Sequence, residues 1–349
     1  MWALVIAVSN IYSELTTGNY LFNNPNVAIG DDLLLPWIKL KNYLEKRGIL
    51  LCTPDTVKID NIDKFIFLDM PHRHNPYLAY ACDSKKPAYL IICESEIINS
   101  ENQNYSLHQS FKKIFTYNDS LVDNKKYFKM NYCFDLPRQI DVVSSRKVRL
   151  CAMIAGNKII DHPLELYSER IAAIRWFEKY HPGDFDLYGG GWDSEICLPR
   201  LPYKVKKLVG KLKFVNNLFR VKYPSYRGAV VRKHPILSEY KFSICYENAR
   251  DVPGYITEKV FDCFFAACIP IYWGAGNVAD HIPSDCFIDK RNFKNMESLY
   301  KYIKTMTVEE YGRYIDSIRE FIGSQMSYPF SIDCFMNTII EEIVEDSFC

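Results

Sequence analysis

Tyr240-Lys-Phe-Ser-Ile-Cys-Tyr-Glu-Asn248, followed by Gly254-Tyr-Ile-Thr-Glu-Lys259 and by Ile269-Pro-Ile-Tyr-Trp-Gly274, is the stretch that decides the fold. It runs as a buried strand, a polar loop, a helix start and a second buried strand. Strands alternating with helices argue for a parallel α/β sheet. Polar groups gather where the strands end. Two acids (Glu247, Glu258), an amide (Asn248), a phenol (Tyr255) and a cation (Lys259) meet near one helix N-terminus. This set suits a ligand carrying a sugar and a phosphate. Free backbone N–H groups and the helix dipole favour an anion at such an end, and Lys259 adds its charge. The carboxylates and Asn248 can bond sugar hydroxyls; Glu247 reads as a sugar ligand or as a partner of Lys241.

Outward from this stretch the same alternation continues. Strands are expected at Leu4–Val8, Lys64–Met70, Tyr89–Cys93 and Lys113–Tyr117, with a helix at Leu35–Arg47 stopped by Gly48. In the second half, strands are expected at Arg149–Ala155, Phe185–Tyr188, Phe242–Tyr246 and Cys268–Tyr272. Helical spacing covers Leu164–Tyr180, Thr257–Ala267, Met296–Met306, Val308–Ile322 and Ile332–Val344. Asn99–Gln109 reads as a surface loop and Pro137–Ser145 as a linker. Two Rossmann-like halves facing a central cleft is the arrangement this predicts.

Bulk properties narrow the class. A chain of 349 residues can bury two separate cores, and a net charge of +1 implies no polyanionic partner as a whole. The twelve cysteines resemble a disulfide set, yet Cys245, Cys263 and Cys268 lie in apolar runs and no Cys-x-x-Cys pair occurs. The N-terminus lacks a basic leader region, and its apolar run is too short for a signal peptide or span. A reduced, cytoplasmic chain is the expectation. Between Glu195 and Glu239 there is no acid but eleven Lys or Arg. That segment is either a solvated face or, over 204–233, a positive rim for peripheral contact with an anionic membrane. It lacks any nucleic-acid-binding motif, and no nucleic-acid partner is expected.

The quoted stretch resembles the donor-binding motif of family 10 glycosyltransferases, the α1,3/α1,4-fucosyltransferases. Their pattern reads roughly Tyr-Lys-Phe-x-x-x-Phe-Glu-Asn, then Tyr-(Val/Ile)-Thr-Glu-Lys, then Pro-(Val/Ile)-x-x-Gly. Tyr246 stands where Phe is usual and Ala249 where Ser is common. The likeness is strong from about Cys151 to Phe293 and weaker before it. It is closest to the bacterial, soluble type, since animal members carry a signal-anchor and stem.

The resemblance implies a GT-B fold with an acceptor-side domain at 1–147 and a GDP-fucose domain at 148–330. Residues 331–349 would form a C-terminal helix returning to the first domain. It implies inverting transfer of L-fucose from GDP-β-L-fucose to a glycan hydroxyl. O3 of N-acetylglucosamine in an N-acetyllactosamine, lipopolysaccharide or glycoprotein glycan is the default. Arg170, on its own an ordinary helix-surface arginine, matches the family's phosphate-contacting arginine. Glu258 matches the acid on the donor ribose. Asn248 and Tyr255 match other donor contacts; Tyr255 alone would read as a hydrophobic staple. Lys259, Lys241 and Asn157 join the donor set, with Lys233 and Arg227 as weaker phosphate candidates. Glu94, in Cys93-Glu-Ser-Glu96, aligns with the general base, and Glu96 is its rival because alternate residues of an extended segment share a face.

Cations and a helix end would stabilise the leaving diphosphate, so no tightly bound cofactor is expected, with Mn2+ or Mg2+ as stimulants at most. Asp184-Phe-Asp186 is discounted as a metal signature, and His72/His74 as a metal pair. Two other readings stay open: a GT-B enzyme with a different donor or linkage, and an inactive glycan- or nucleotide-binding relative.

Overall fold

The computed structural model describes residues 2–24, 31–140, 147–193 and 221–346. The first domain is built on six parallel strands: β1 Leu4–Asn10, β2 Ile49–Cys52, β3 Lys64–Leu68, β4 Ala88–Ile92, β5 Lys113–Thr116 and β6 Tyr127–Lys129. Their order is β2-β1-β3-β4-β5-β6. β3 and β4 are buried at every position, which is why they read as unbroken apolar runs. β2 and β6 lacked that signal because they are short and partly exposed. A helix at Pro76–Asp83, also unforeseen, starts at Asn75, whose Oδ1 accepts from the Tyr77 and Leu78 N–H groups. The expected surface loop at Asn99–Gln109 is instead two 3₁₀ turns that bury Asn102 and His108.

The second domain holds five parallel strands: β7 Arg149–Ile154, β8 Phe185–Tyr188, β9 Tyr240–Tyr246, β10 Ile269–Trp273 and β11 Ile288–Asp289. Their order is β11-β10-β9-β7-β8. Helices Tyr167–Tyr180, Lys233–Leu237 and Glu258–Phe265 flank the site. Met296–Thr305 and Val308–Gly323 follow, each opened by a capping box, at Asn295 and Thr307.

The last helix, Ile332–Ile339 with a π turn to Val344, crosses back to the first domain. Phe335, Ile339 and Ile343 share one core cluster with Ile6, Val8 and Leu40. Phe335 meets Trp37 edge-on with ring centroids 5.1 Å apart. Lys64 closes this helix: its buried Nζ donates to the carbonyls of Ile343 (2.7 Å), Val344 (3.1 Å) and Asp346 (2.7 Å). A cation is favoured at such a C-terminus.

The two domains also meet beside the cleft. Asp119 accepts from Asn277 Nδ2 (2.8 Å) and pairs with His281 Nε2 (2.7 Å), while Lys129 holds its other oxygen at 2.5 Å. Gly254 sits so close to the first domain that a Cβ there would lie 2.2 Å from the Tyr117 carbonyl.

Of the linker candidate, 141–145 lie outside the described residues, as do 204–220 of the basic segment. Beyond 220, cations turn to partners within the chain. Arg227 pairs with Asp186 at 2.5 Å, Arg232 with Asp32 at 3.5 Å, and Lys233 with Asp262 at 2.7 Å. Asp184 binds Lys304 and Tyr300, and Asp186 binds Arg149, Arg227 and Tyr240, so both acids serve ion pairs. His72 and His74 are exposed. Among the described residues no disulfide forms, no group of three His, Cys, Asp or Glu is placed to hold a metal, and no helix is long and apolar enough to cross a membrane.

Candidate active site

Parallel α/β sheets place ligand sites at the carboxyl ends of their strands. Here the ends of both sheets line one cavity of about 840 Å³, with Tyr12, Asp69 and Glu94 on the first domain and Lys158, Glu258 and Asp262 on the second.

The donor-side motif is locked by a buried acid. Glu247, at the end of β9, is fully buried. Its Oε1 accepts from the Thr257 N–H (2.8 Å), and its Oε2 from Thr257 Oγ1 (2.7 Å) and Lys259 Nζ (3.0 Å). Glu247 therefore ties the strand end to the helix start and is neither exposed to a sugar nor near Lys241. Gly274 makes room for it, because a Cβ there would stand 2.5 Å from Glu247 Cγ. Burial works against the Lys259 charge, but Glu247 and Glu258 outweigh it and raise its pKa. Burial likewise opposes ionisation of Glu258, yet Lys259 and Lys233 hold its carboxyl well below the usual range. Lys233 Nζ reaches Glu258 at 3.4 Å.

Arg170, Asn248 and Tyr255 form a bonded row behind this surface. Arg170 donates to the Tyr246 carbonyl from Nε (3.2 Å) and Nη2 (2.6 Å), and to Asn248 Oδ1 (3.0 Å). Asn248 Nδ2 donates to the Tyr255 hydroxyl at 3.4 Å. Tyr255 is buried against Tyr117 of the first domain, ring centroids 4.9 Å apart. Arg170 is only 4% exposed, and burial lowers its pKa. Asn157 lies at the end of β7 but engages the glycine turn, with its N–H on the Gly190 carbonyl at 2.9 Å. Lys241 does not join the site. It is exposed near the amino end of β9, and six residues of strand at roughly 3.3 Å each put it about 20 Å from Glu247.

Across the cavity, Glu94 follows β4. Tyr12, beyond β1, donates its hydroxyl to Glu94 Oε1 at 2.9 Å. Burial raises the Glu94 pKa, against the Tyr12 hydrogen bond and the charges of Lys158 and Lys259. Glu96 does not share its face. The chain turns at Ser95, whose carbonyl accepts from the N–H groups of Ile98 and Asn99, and Glu96 points to His162 at 3.5 Å. Tyr12, Asp69 and Lys158 were not legible along the chain; their one shared signal is a polar residue past a strand end.

Residues 219–327 match the family model described as glycosyltransferase family 10 (fucosyltransferase), C-terminal. An α-(1,3)-fucosyltransferase of Helicobacter pylori is 38% identical over 91 residues, 26% of this chain and 19% of the relative. An α-(1,4)-fucosyltransferase of Arabidopsis thaliana is 40% identical over 73 residues, 21% of this chain and 18% of the relative. The matched stretch thus spans about a fifth of each relative. The crystal structure of an α1,3-fucosyltransferase with GDP-fucose superposes with a TM-score of 0.56 at 18% identity, covering 99% of this chain and 91% of that one. That likeness is one of fold, the GT-B arrangement of two Rossmann-like domains. Within that fold, the stretch around the Glu247–Lys259 motif is similar to the C-terminal domain of glycosyltransferase family 10, the fucosyltransferases.

Proposed function

We propose that the protein transfers L-fucose from GDP-β-L-fucose to a glycan hydroxyl with inversion, O3 of N-acetylglucosamine being the first choice. The observation that carries this reading is the meeting of two sets of groups across one cavity. Glu94 on the first domain, its pKa raised by burial, lines the cavity with Lys158, Glu258 and Asp262 of the second, and the Lys259 charge acts on it. In the proposed reaction the acceptor oxygen attacks the anomeric carbon of fucose. Glu94 takes the hydroxyl proton as the bond forms, and the bond from the anomeric carbon to the phosphate oxygen breaks. Tyr12 occupies one Glu94 oxygen and leaves the other for that proton. A base of this kind contributes on the order of 10²–10⁴-fold. Lys259 and Arg170 would carry the charge growing on GDP, Glu258 the ribose, and Asn248, Tyr255 and Asn157 would support the donor; transfer is expected to persist in EDTA.

The test is transfer from GDP-fucose to N-acetyllactosamine, with product linkage and anomeric configuration read by NMR. An α-linked fucose is expected, and GDP-fucose, unlike UDP-sugars, should raise the melting temperature. Equal stabilisation by UDP-galactose would overturn the donor assignment. An α1,4 product would keep the reaction and change the linkage, a reading favoured by the match to an α-(1,4)-fucosyltransferase.

A further inference from the structure

Asp69 is a buried acid that the reaction above leaves unused. It follows β3, is 3% exposed, and lines the same cavity as Glu94. Its backbone is left-handed, with φ of 61°, a conformation that costs most residues of order 1 kcal/mol or more and that Asp and Asn tolerate best. Three donors converge on its Oδ1: the N–H groups of Cys93 and Glu94, and Asn102 Nδ2, each at 2.8 Å. Asn102 also donates to the Glu94 carbonyl (2.9 Å) and accepts from the Met70 N–H (2.8 Å). No Lys or Arg pairs with Asp69 among the described residues. The titratable groups around it are Glu94, Tyr12, Cys93 and Tyr117. Beyond Glu94 stand Lys158, Lys259 and Glu258. A carboxylate buried without a cation is costly. Its bonds all go to the loop that carries Glu94.

We propose that Asp69 is a positioning residue for the base: it fixes the Glu94 loop through two backbone N–H groups, and its negative charge strengthens Glu94 as a proton acceptor. The inference rests on Glu94 being the base. Burial of the Asp69 carboxyl, with Glu94 beside it, lifts its pKa to about 6 in spite of those hydrogen bonds. That places the cost of its ionisation at working pH.

Four proteins test it: wild type, Asp69→Asn, Asp69→Gly and Glu94→Gln, each assayed for transfer to N-acetyllactosamine, GDP affinity, melting temperature and hydrogen exchange. Asp69→Asn keeps an acceptor oxygen and tolerates the backbone but removes the charge. Its melting temperature should not fall, and its GDP affinity should hold. Its kcat should drop about tenfold, the scale of one pK unit of base strength. The acid limb of its pH–rate profile should move to lower pH, because the titration of Asp69 near pH 6 is removed. Asp69→Gly fits the left-handed backbone but removes the acceptor. Exchange should quicken over residues 91–102, and kcat should fall further. Wild-type kcat, pH profile and exchange in both Asp69 variants, with Glu94→Gln inactive, would sink this inference alone. Loss of GDP affinity in step with kcat would also sink it, marking general damage. An active Glu94→Gln would remove the base assignment and this inference together.

Discussion

Glu94 and Glu96 stand two positions apart and face different neighbours, and the chemistry follows the neighbours. Glu94→Gln keeps the shape but cannot accept the proton, so transfer should fall roughly 10²–10⁴-fold while GDP-fucose still binds. Glu96→Gln should cost much less, since its carboxylate pairs with His162 and does not line the cavity. The same assays with both variants decide between them; an inactive Glu96→Gln beside an active Glu94→Gln would reverse the assignment. Because Glu94 must be ionised to act and burial raises its pKa, the wild-type acid limb should lie above the ordinary carboxylate pKa of about 4.3.

The proposed phosphate clamp has a second cost at this scale. Arg170→Ala and Lys259→Ala should each weaken GDP binding, and neither should leave stability untouched. The first strips the Tyr246 carbonyl of two donors; the second leaves Glu247 buried without its cation, a change worth about 3–5 kcal/mol. Lys259→Arg, which keeps the charge, should recover more stability than Lys259→Ala in denaturant titrations. Equal losses in the two would show that Glu247 does not depend on the cation.

The loop from Asp251 to Thr257 links the donor motif to the first domain. Gly254 has φ of 73°, and an added Cβ would meet the Tyr117 carbonyl at 2.2 Å and Asp119 Oδ2 at 2.8 Å. Gly254→Ala therefore forces the loop off the first domain, and it should cost more than the 1–3 kcal/mol of backbone strain alone. Faster hydrogen exchange should appear both at 251–257 and at 117–119, where the loop docks. A wild-type melting curve for this variant would mean that the close approach is not maintained in solution.

Among the contacts that hold the whole molecule together, two differ in chemistry. One is apolar: the returning C-terminal helix fills the first domain's core, so Phe335→Ala should cost about 3–5 kcal/mol, and the loss should fall on residues 2–140. Exchange mapping checks this; protection lost only in the second domain would contradict it. The other is electrostatic. Burial would raise the Asp119 pKa, but hydrogen bonds from Lys129, Asn277 and His281 outweigh it and the carboxyl is lowered. A depressed pKa gives stability that is present above the unfolded value, about 3.9, and lost as pH falls through the folded one. Acid should therefore loosen the domain contact below about pH 4, an effect that Asp119→Asn should abolish.

What the sequence determined by itself is local. The period of apolar residues set the long strands and helices, and the donor motif was legible because its partners lie within a few dozen residues on adjacent β9, β10 and one helix. Even there the roles of single residues needed the fold. Glu247 turned inward to serve Thr257 and Lys259, Arg170 was buried instead of lying on a helix surface, and Lys241 fell at the far end of its strand. What only the tertiary structure decided is nonlocal. Tyr12, Asp69 and Glu94 come from the ends of three strands, and no spacing along the chain marks them as neighbours. Lys64 read as an ordinary strand residue until the chain's last turn brought three carbonyls to it. Hydrophobic pattern has a period and can be read along the chain. A hydrogen bond between strand ends depends on which strands lie side by side, and that order is set when the sheet assembles.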